Sequence, residues 1–215
     1  MEASTVQSPR TRSGRKLEQV IAAAARLFRE HGFGATSMDL VASEAIVSKA
    51  TLYAYFSGKR ELFAAVIAAE DDRHSRSLLA DPGADEDFPE ILLRVGRTIQ
   101  DLLLAPETVS SYRMVVGEAS RFPELGRDYY AHGAGQLLGR LEEFFANAMA
   151  DGQLRAGHPR RAAEQFVGLV RGDLMLRALL GVDERLSAAQ KDSVLRAGVD
   201  AFRRAYQPDA PPASA

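Results

Sequence analysis

Residues 47–56 read Val47-Ser48-Lys49-Ala50-Thr51-Leu52-Tyr53-Ala54-Tyr55-Phe56, and the fold of the chain turns on how this stretch is read. Ser48 is a helix-capping residue type, its hydroxyl placed to accept from a free N–H of the first turn. Leu52 and Phe56 stand four apart and face the same way, which predicts a short helix with one buried stripe. Lys49, Thr51, Tyr53 and Tyr55 are then left for the outward side, a cation, a hydroxyl and two phenols suited to phosphates and base edges.

The flanking sequence supplies partners for that helix. Thr36 and Asp39 fit a capping box that opens another short helix, carrying Leu40, Val41 and Ala45 inward, and Ala45-Ile46-Val47 form a three-residue turn. Upstream, Leu17, Val20, Ile21, Ala24, Leu27 and Phe28 repeat at helical spacing from Arg15 to His31 until Gly32 stops the run. Downstream, Ser57 caps a helix expected to reach Leu79, with Leu62, Phe63, Val66 and Ile67 facing a core and Asp81-Pro82-Gly83 ending it. Two short helices joined by a tight turn behind a packed first helix have helix-turn-helix geometry. One helix crosses a DNA backbone while the other presents its exposed side to the major groove.

Composition narrows the classes of function. The chain has 215 residues, 46% hydrophobic and 26% charged, enough for one or two domains with a real core. No run approaches the roughly 20 apolar residues that span a bilayer, and the polar, basic start Met1–Ser13 lacks a signal-peptide core, so the expected location is cytoplasmic. With no cysteine there is no disulfide, no thiolate nucleophile and no cysteine zinc site. His31, His74, His132 and His158 show no metal-ligand spacing, and no nucleophile, base or cofactor loop converges, so no catalytic residue, metal or cofactor is assigned. Gly133-Ala134-Gly135-Gln136-Leu137-Leu138-Gly139 has the wrong final spacing for a dinucleotide loop and follows no strand. The net charge of −2 hides an asymmetry: residues 1–60 hold nine Lys and Arg against five Asp and Glu, whereas the remainder holds eighteen against twenty-four. The basic part suits phosphate and the acidic part does not.

The remaining signals are all helical, and strand alternation is absent. Phe88–Leu104 and Glu107–Ala119 each read as helices with prolines tolerable in first turns, and Pro123 opens a longer segment to Ala150, kinked around Gly133 and Gly135. Two final helices are expected over about Arg160–Leu180 and Ser187–Tyr206. The first of these is apolar on more than one side and must be covered twice. The expected fold is all-α with about nine helices. It divides into a disordered basic arm over 1–13, a helix-turn-helix domain over 14–57, a helical domain for ligand binding and dimerisation over 58–206, and a disordered tail over 207–215.

Phe28-Arg29-Glu30-His31-Gly32-Phe33, Thr36-Ser37, the stretch from Val47 to Phe56, and Lys59-Arg60-Glu61-Leu62 resemble the DNA-binding region of the TetR family of regulators over roughly Arg15 to Ile67. The resemblance implies DNA contact by Ser48, Lys49, Thr51 and Tyr53, with Tyr55 at the helix end, Thr36 and Ser37 on phosphates, and Lys59 gripping the backbone. Lys59 would share one phosphate with the free N–H groups of its own helix start, and Arg10, Arg12 and Arg15 would add a flexible arm. Two departures stand out. Ile46 occupies a turn position usually held by glycine, where a β-branched residue at positive φ is strained, so another turn conformation is expected. Ala50 and Ala54 trim the contact surface.

The segment Tyr112–Tyr130 resembles C-terminal domains of some regulators linked to efflux or stress responses. In such regulators the later helices enclose an effector cavity, which implies Met114, Glu118, Phe144 and Phe166 as lining, and they pair through the last two helices, which implies Val170, Leu174, Leu195, Val199 and Phe202 at a homodimer interface. The expected function is a homodimeric, ligand-responsive DNA-binding regulator, a repressor released from a palindromic double-stranded operator when a small-molecule effector moves the fourth helix. The effector's identity is open and no membrane partner is implied. Two other readings compete: a helical small-molecule binding protein with weakened DNA binding, which Ile46 keeps alive, and an unrecognised enzyme.

Overall fold

A computed structural model describes residues 9–75, 86–182 and 186–208, with side chains described from Gly14 and not over 71–75. Among the described residues there are eleven helices and no strand. In chain order they are α1 (Pro9–Ala35), α2 (Met38–Glu44), α3 (Lys49–Tyr55), α4 (Lys59–Ser75), α5 (Phe88–Leu104), α6 (Pro106–Glu118), α7 (Pro123–His132), α8 (Ala134–Ala150), α9 (Pro159–Arg171), α10 (Leu174–Leu180) and α11 (Ala188–Tyr206). The all-α expectation holds. The excess over nine comes from glycines: the segment after Pro123 breaks at Gly133, and the apolar helix of the C-terminal part breaks at Gly172, whose φ of 52° leaves the right-handed helix. Pro9–Ser13 belongs to α1 rather than to a separate arm, its backbone being helical and continuous with the residues that follow. The segment Asp81-Pro82-Gly83, the end at Leu79, residues 1–8 and residues 209–215 lie outside the described residues.

The helix starts follow the sequence closely. Asp87 caps α5 by accepting from the Glu90 N–H at 2.9 Å, and Pro89 sits in the first turn, where its missing donor costs nothing. Ser187 and Gln190 form a reciprocal capping box on α11. Gly181, with φ of 65°, closes α10 in the left-handed conformation.

The chain divides into two compact units: Met1–Ala69 with Ser111–Tyr129, and Glu70–Ser110 with Tyr130–Ala215. The division therefore falls inside α4, α6 and α7 and not between residues 57 and 58. In the first unit Phe28, Phe33 and Phe63 form a triangle of rings with centroids 5.6–5.7 Å apart. Phe122 packs edge-on to Phe33 at 5.4 Å, which draws the segment after α6 into this core. In the second unit α5, α8, α9 and α11 pack around Phe145, Phe166 and Phe202, whose centroids are 4.9–5.4 Å apart. Each such buried ring contributes roughly 1.5–3 kcal/mol by leaving water.

Glycine sets how closely α9 and α11 cross. A Cβ on Gly198 would lie 2.5 Å from the Leu169 carbonyl oxygen and 2.9 Å from the Val170 nitrogen, both backbone atoms that cannot swing aside. Gly198→Ala is expected to lower stability by about 2–3 kcal/mol through overpacking, read as a fall in the denaturation midpoint at unchanged slope. An unchanged midpoint would show that the crossing is looser than these distances.

Candidate nucleic-acid interface

The helix-turn-helix is assembled from local caps. Ser37, not Thr36, caps α2, accepting from the Leu40 N–H at 3.1 Å, so the expected Thr36–Asp39 capping box does not form. Ser48 caps α3 by accepting from the Thr51 N–H at 3.1 Å, and its hydroxyl also shares a 2.8 Å hydrogen bond with the Thr51 hydroxyl. Leu52 and Phe56 are buried as read.

The outward face of α3 differs from the expected one. Lys49, Ala50, Tyr53 and Ala54 are exposed, Tyr53 to 51%, whereas Thr51 is half-buried and the half-buried Tyr55 packs against the core. At 100° per residue Tyr55 falls on the flank shared with Leu52, and counting outward positions from the buried pair alone hides that rotation. Lys49 donates to Asp39 at 2.7 Å, and this bond with the adjacent negative charge holds its ammonium above the usual lysine value. Arg26 and Glu44 pair across α1 and α2.

Two residues expected on phosphate are committed to the protein's own backbone. The break at Gly32, where φ is 81°, strips several α1 carbonyls of helical partners. Thr36 is 1% exposed, and its hydroxyl reaches the carbonyls of Gly32 at 2.8 Å and Leu27 at 3.2 Å. Lys59 donates to the carbonyls of Phe33 at 2.6 Å and Gly34 at 3.1 Å, and its ammonium lies 4.5 Å from the Phe33 ring centroid. Burial lowers the Lys59 pKa, with the Glu118 carboxylate opposing that shift. Thr36 and Lys59 thus close the end of α1 instead of presenting a phosphate site. Ser57 likewise donates, through its N–H and its hydroxyl, to Glu61, both at 2.7 Å. These bonds hold the Glu61 carboxyl below its ordinary value, so their support of α4 is full at neutral pH and lost as pH falls through that lowered value.

Glu118, expected in the effector cavity, completes the same junction by accepting from the Gly34 N–H at 2.7 Å. Met114 packs on the first unit's core, whereas Phe144 is half-buried and Phe166 fully buried in the second, so the four expected lining residues are divided between units. The expected interface residues Val170, Leu174, Leu195, Val199 and Phe202 are at most 3% exposed within the single chain, out of a partner's reach. The same helices instead expose Leu169, Leu176 and Leu180, with Val182 just beyond. Helical spacing showed two apolar sides, and only packing reveals which one faces inward. Among the described residues no cluster of potential metal ligands occurs, and no helix is long and apolar enough to cross a membrane.

Ile46 keeps the turn in its left-handed form with φ of 54°, contrary to the expectation of another conformation. Its side chain is 92% exposed and recovers little by burial. Ile46→Gly is expected to raise stability by about 0.5–1 kcal/mol, because removing a strain of roughly 1–2 kcal/mol outweighs the added freedom of the unfolded chain. A thermal midpoint that falls instead would show that the turn carries no such strain.

Residues 20–66 match the family described as bacterial regulatory proteins, tetR family, and residues 90–208 match the AefR-like transcriptional repressor C-terminal domain. The chain is similar to the structure of the flavonoid-responsive regulator FrrA, with 40% identity, 92% of this chain and 100% of that one covered, and a TM-score of 0.78. It is also similar to a protein described as a TetR-family transcriptional regulator from Mesorhizobium loti MAFF303099, at 28% identity over 91% of this chain and 98% of that one, with a TM-score of 0.78. A 44-residue stretch, 20% of this chain and 23% of the relative, is 48% identical to the uncharacterized HTH-type transcriptional regulator YhgD of Bacillus subtilis (strain 168).

Proposed function

The chain belongs to the TetR family of transcriptional regulators, a DNA-binding module followed by a ligand-binding one, and from that premise we propose that it works as a homodimeric repressor released from its operator by a flavonoid-like phenol. The observation that carries the DNA reading is the exposed face of α3, where Tyr53 and Lys49 stand out between Ala50 and Ala54. Two alanines leave this face shallow, so the two long side chains make most of the contact. Lys49 exchanges Asp39 for a phosphate and Tyr53 reaches a base edge or a second phosphate. Ser37 and Ser48, both exposed, offer hydroxyls at the starts of α2 and α3. The effector class is taken from the name of the 40% identical relative.

Tyr53→Ala is expected to weaken operator binding by about 1–3 kcal/mol, on the order of tenfold to a hundredfold. Lys49→Ala should reduce the slope of log affinity against log salt by about 0.9 for each phosphate that is no longer neutralised, nearly two for a dimer. Both are read by fluorescence anisotropy on the upstream DNA across a salt series. Full affinity in both variants removes α3 as the reading surface.

The dimer face runs over Leu169, Leu176, Leu180 and Val182, an exposed apolar group that water disfavours. A two-fold pair then sets two α3 helices on half-sites about 34–36 Å apart or a multiple of that. Leu176→Glu with Leu180→Glu is expected to give a folded monomer by sedimentation, with operator affinity down at least tenfold. A dimer that persists places the interface elsewhere. The effector signal is carried by a movement of α4, the helix that follows the DNA-binding motif. A coupling of about 1–3 kcal/mol shifts operator affinity by roughly 5–150-fold.

A further inference from the structure

Arg94 on α5 carries a hydrogen-bonding group that the chain itself leaves unfilled. Its Nε donates to the Glu86 carboxylate, 3.0 Å from Oε1 and 3.1 Å from Oε2, with the two side chains 31% and 19% exposed. Its Nη1 is shut off from solvent and has no hydrogen-bond partner, alone in this among the described side-chain nitrogens and oxygens. A guanidinium has N–H donors on three nitrogens and no acceptor, so the bond to Glu86 leaves Nη1 with its own need for an acceptor. Glu86 neutralises the charge from the Nε side, but a carboxylate there does not serve Nη1, whose N–H bonds point elsewhere in the guanidinium plane.

The neighbouring polar group on the same helix shows the contrast. Gln100, buried in α5, gives its amide N–H groups to the Val170 carbonyl at 2.7 Å and the Lys191 carbonyl at 3.1 Å, so it is completed by the fold. Arg94 is not. It shares a stripe of α5 with Ile91 and Thr98, all three half-buried, while Leu92, Val95, Ile99 and Leu102 fill the core. The Thr98 hydroxyl donates to the Arg94 carbonyl at 3.1 Å. Ile91 packs on the core and the Thr98 hydroxyl is taken by the Arg94 carbonyl, so Nη1 is the group on this half-buried stripe with capacity left for a ligand oxygen.

We propose that Arg94 is the anchor of the effector site, and that it selects ligands carrying an ionised oxygen, a phenolate or a carboxylate, which accepts from Nη1. This rests on the effector-responsive reading above and adds to it the chemistry the effector must have. A ligand whose acidic oxygen is capped by methyl leaves the donor unfilled and loses the charge-assisted bond.

The test uses the full-length protein and paired probes, quercetin with its pentamethyl ether and salicylate with methyl salicylate. Calorimetric titration and thermal shift are expected to show the free acid or phenol of at least one pair binding wild type ten times or more tightly than its capped partner. Arg94→Met is expected to abolish that preference, and Arg94→Lys, which keeps a cation opposite Glu86, to retain the ligand-free melting temperature and lose most of the preference. Equal binding of free and capped probes by wild type, no binding by either pair, or the preference surviving in both variants overturns the proposal. Anisotropy on operator DNA with the same probes separates the two readings. Arg94-dependent binding that leaves operator affinity unchanged sustains the anchor and removes the effector response, whereas release by capped probes in wild type and Arg94→Met alike sustains the response and removes the anchor.

Discussion

The reading head depends on how the broken end of α1 is closed. Gly32 turns the chain out of the helix, and the carbonyls of Leu27, Gly32, Phe33 and Gly34 and the N–H of Gly34 then need partners away from water. Thr36, Lys59 and Glu118 supply them from three places in the chain, each distance at 3.2 Å or less. Space matters as much as bonding. A Cβ on Gly32 would lie 2.4 Å from the Glu118 carboxylate, so the same glycine that breaks the helix leaves room for the group that repairs it. Phe33, held between the Lys59 ammonium and the Phe122 ring, fixes this junction to the core beneath α2 and α3.

With that end closed, α3 has little freedom in where it points. Leu52 and Phe56 anchor it from below, and Asp39 on α2 holds the Lys49 ammonium at its start. The strained turn at Ile46 persists because the hydrogen bonds on either side over-determine it: Val47 N–H bonds to the Ala42 carbonyl at 3.0 Å and Ala45 N–H to the Val41 carbonyl at 2.9 Å. A residue that suits the turn poorly is therefore carried at the cost of some stability, and the geometry of the motif survives.

The second unit follows a different logic. Its core is a stack of aromatic rings, and α9 and α11 cross closely over it because Gly198 carries no side chain against the Leu169 and Val170 backbone. Every polar group there is judged by whether it has a partner. Gln100 ties α5 to α9 and α11, while Arg94 holds Glu86 and keeps one donor unfilled. Polar groups that serve the fold are complete within it, and that contrast marks Arg94 for another role.

What the amino-acid sequence determined by itself was local: the helical class, the extent of α5 from Phe88 to Leu104, the cap at Ser48, the stop at Gly32, the start of the last helix near Ser187, and the buried pair Leu52 and Phe56. Periodicity and capping act over a few residues, so they can be read in order along the chain. Tertiary structure decided the allegiance of every residue with two plausible partners. Thr36 and Lys59 had the chemistry to hold phosphate and Glu118 to hold a ligand, and all three went to backbone groups distant in sequence. Val170 and Phe202 carried the same apolar signal as Leu176 and Leu180, and the core took the first pair and left the second outside. A side chain's chemistry is written in its own position, but which neighbour satisfies it depends on the packing of the whole chain.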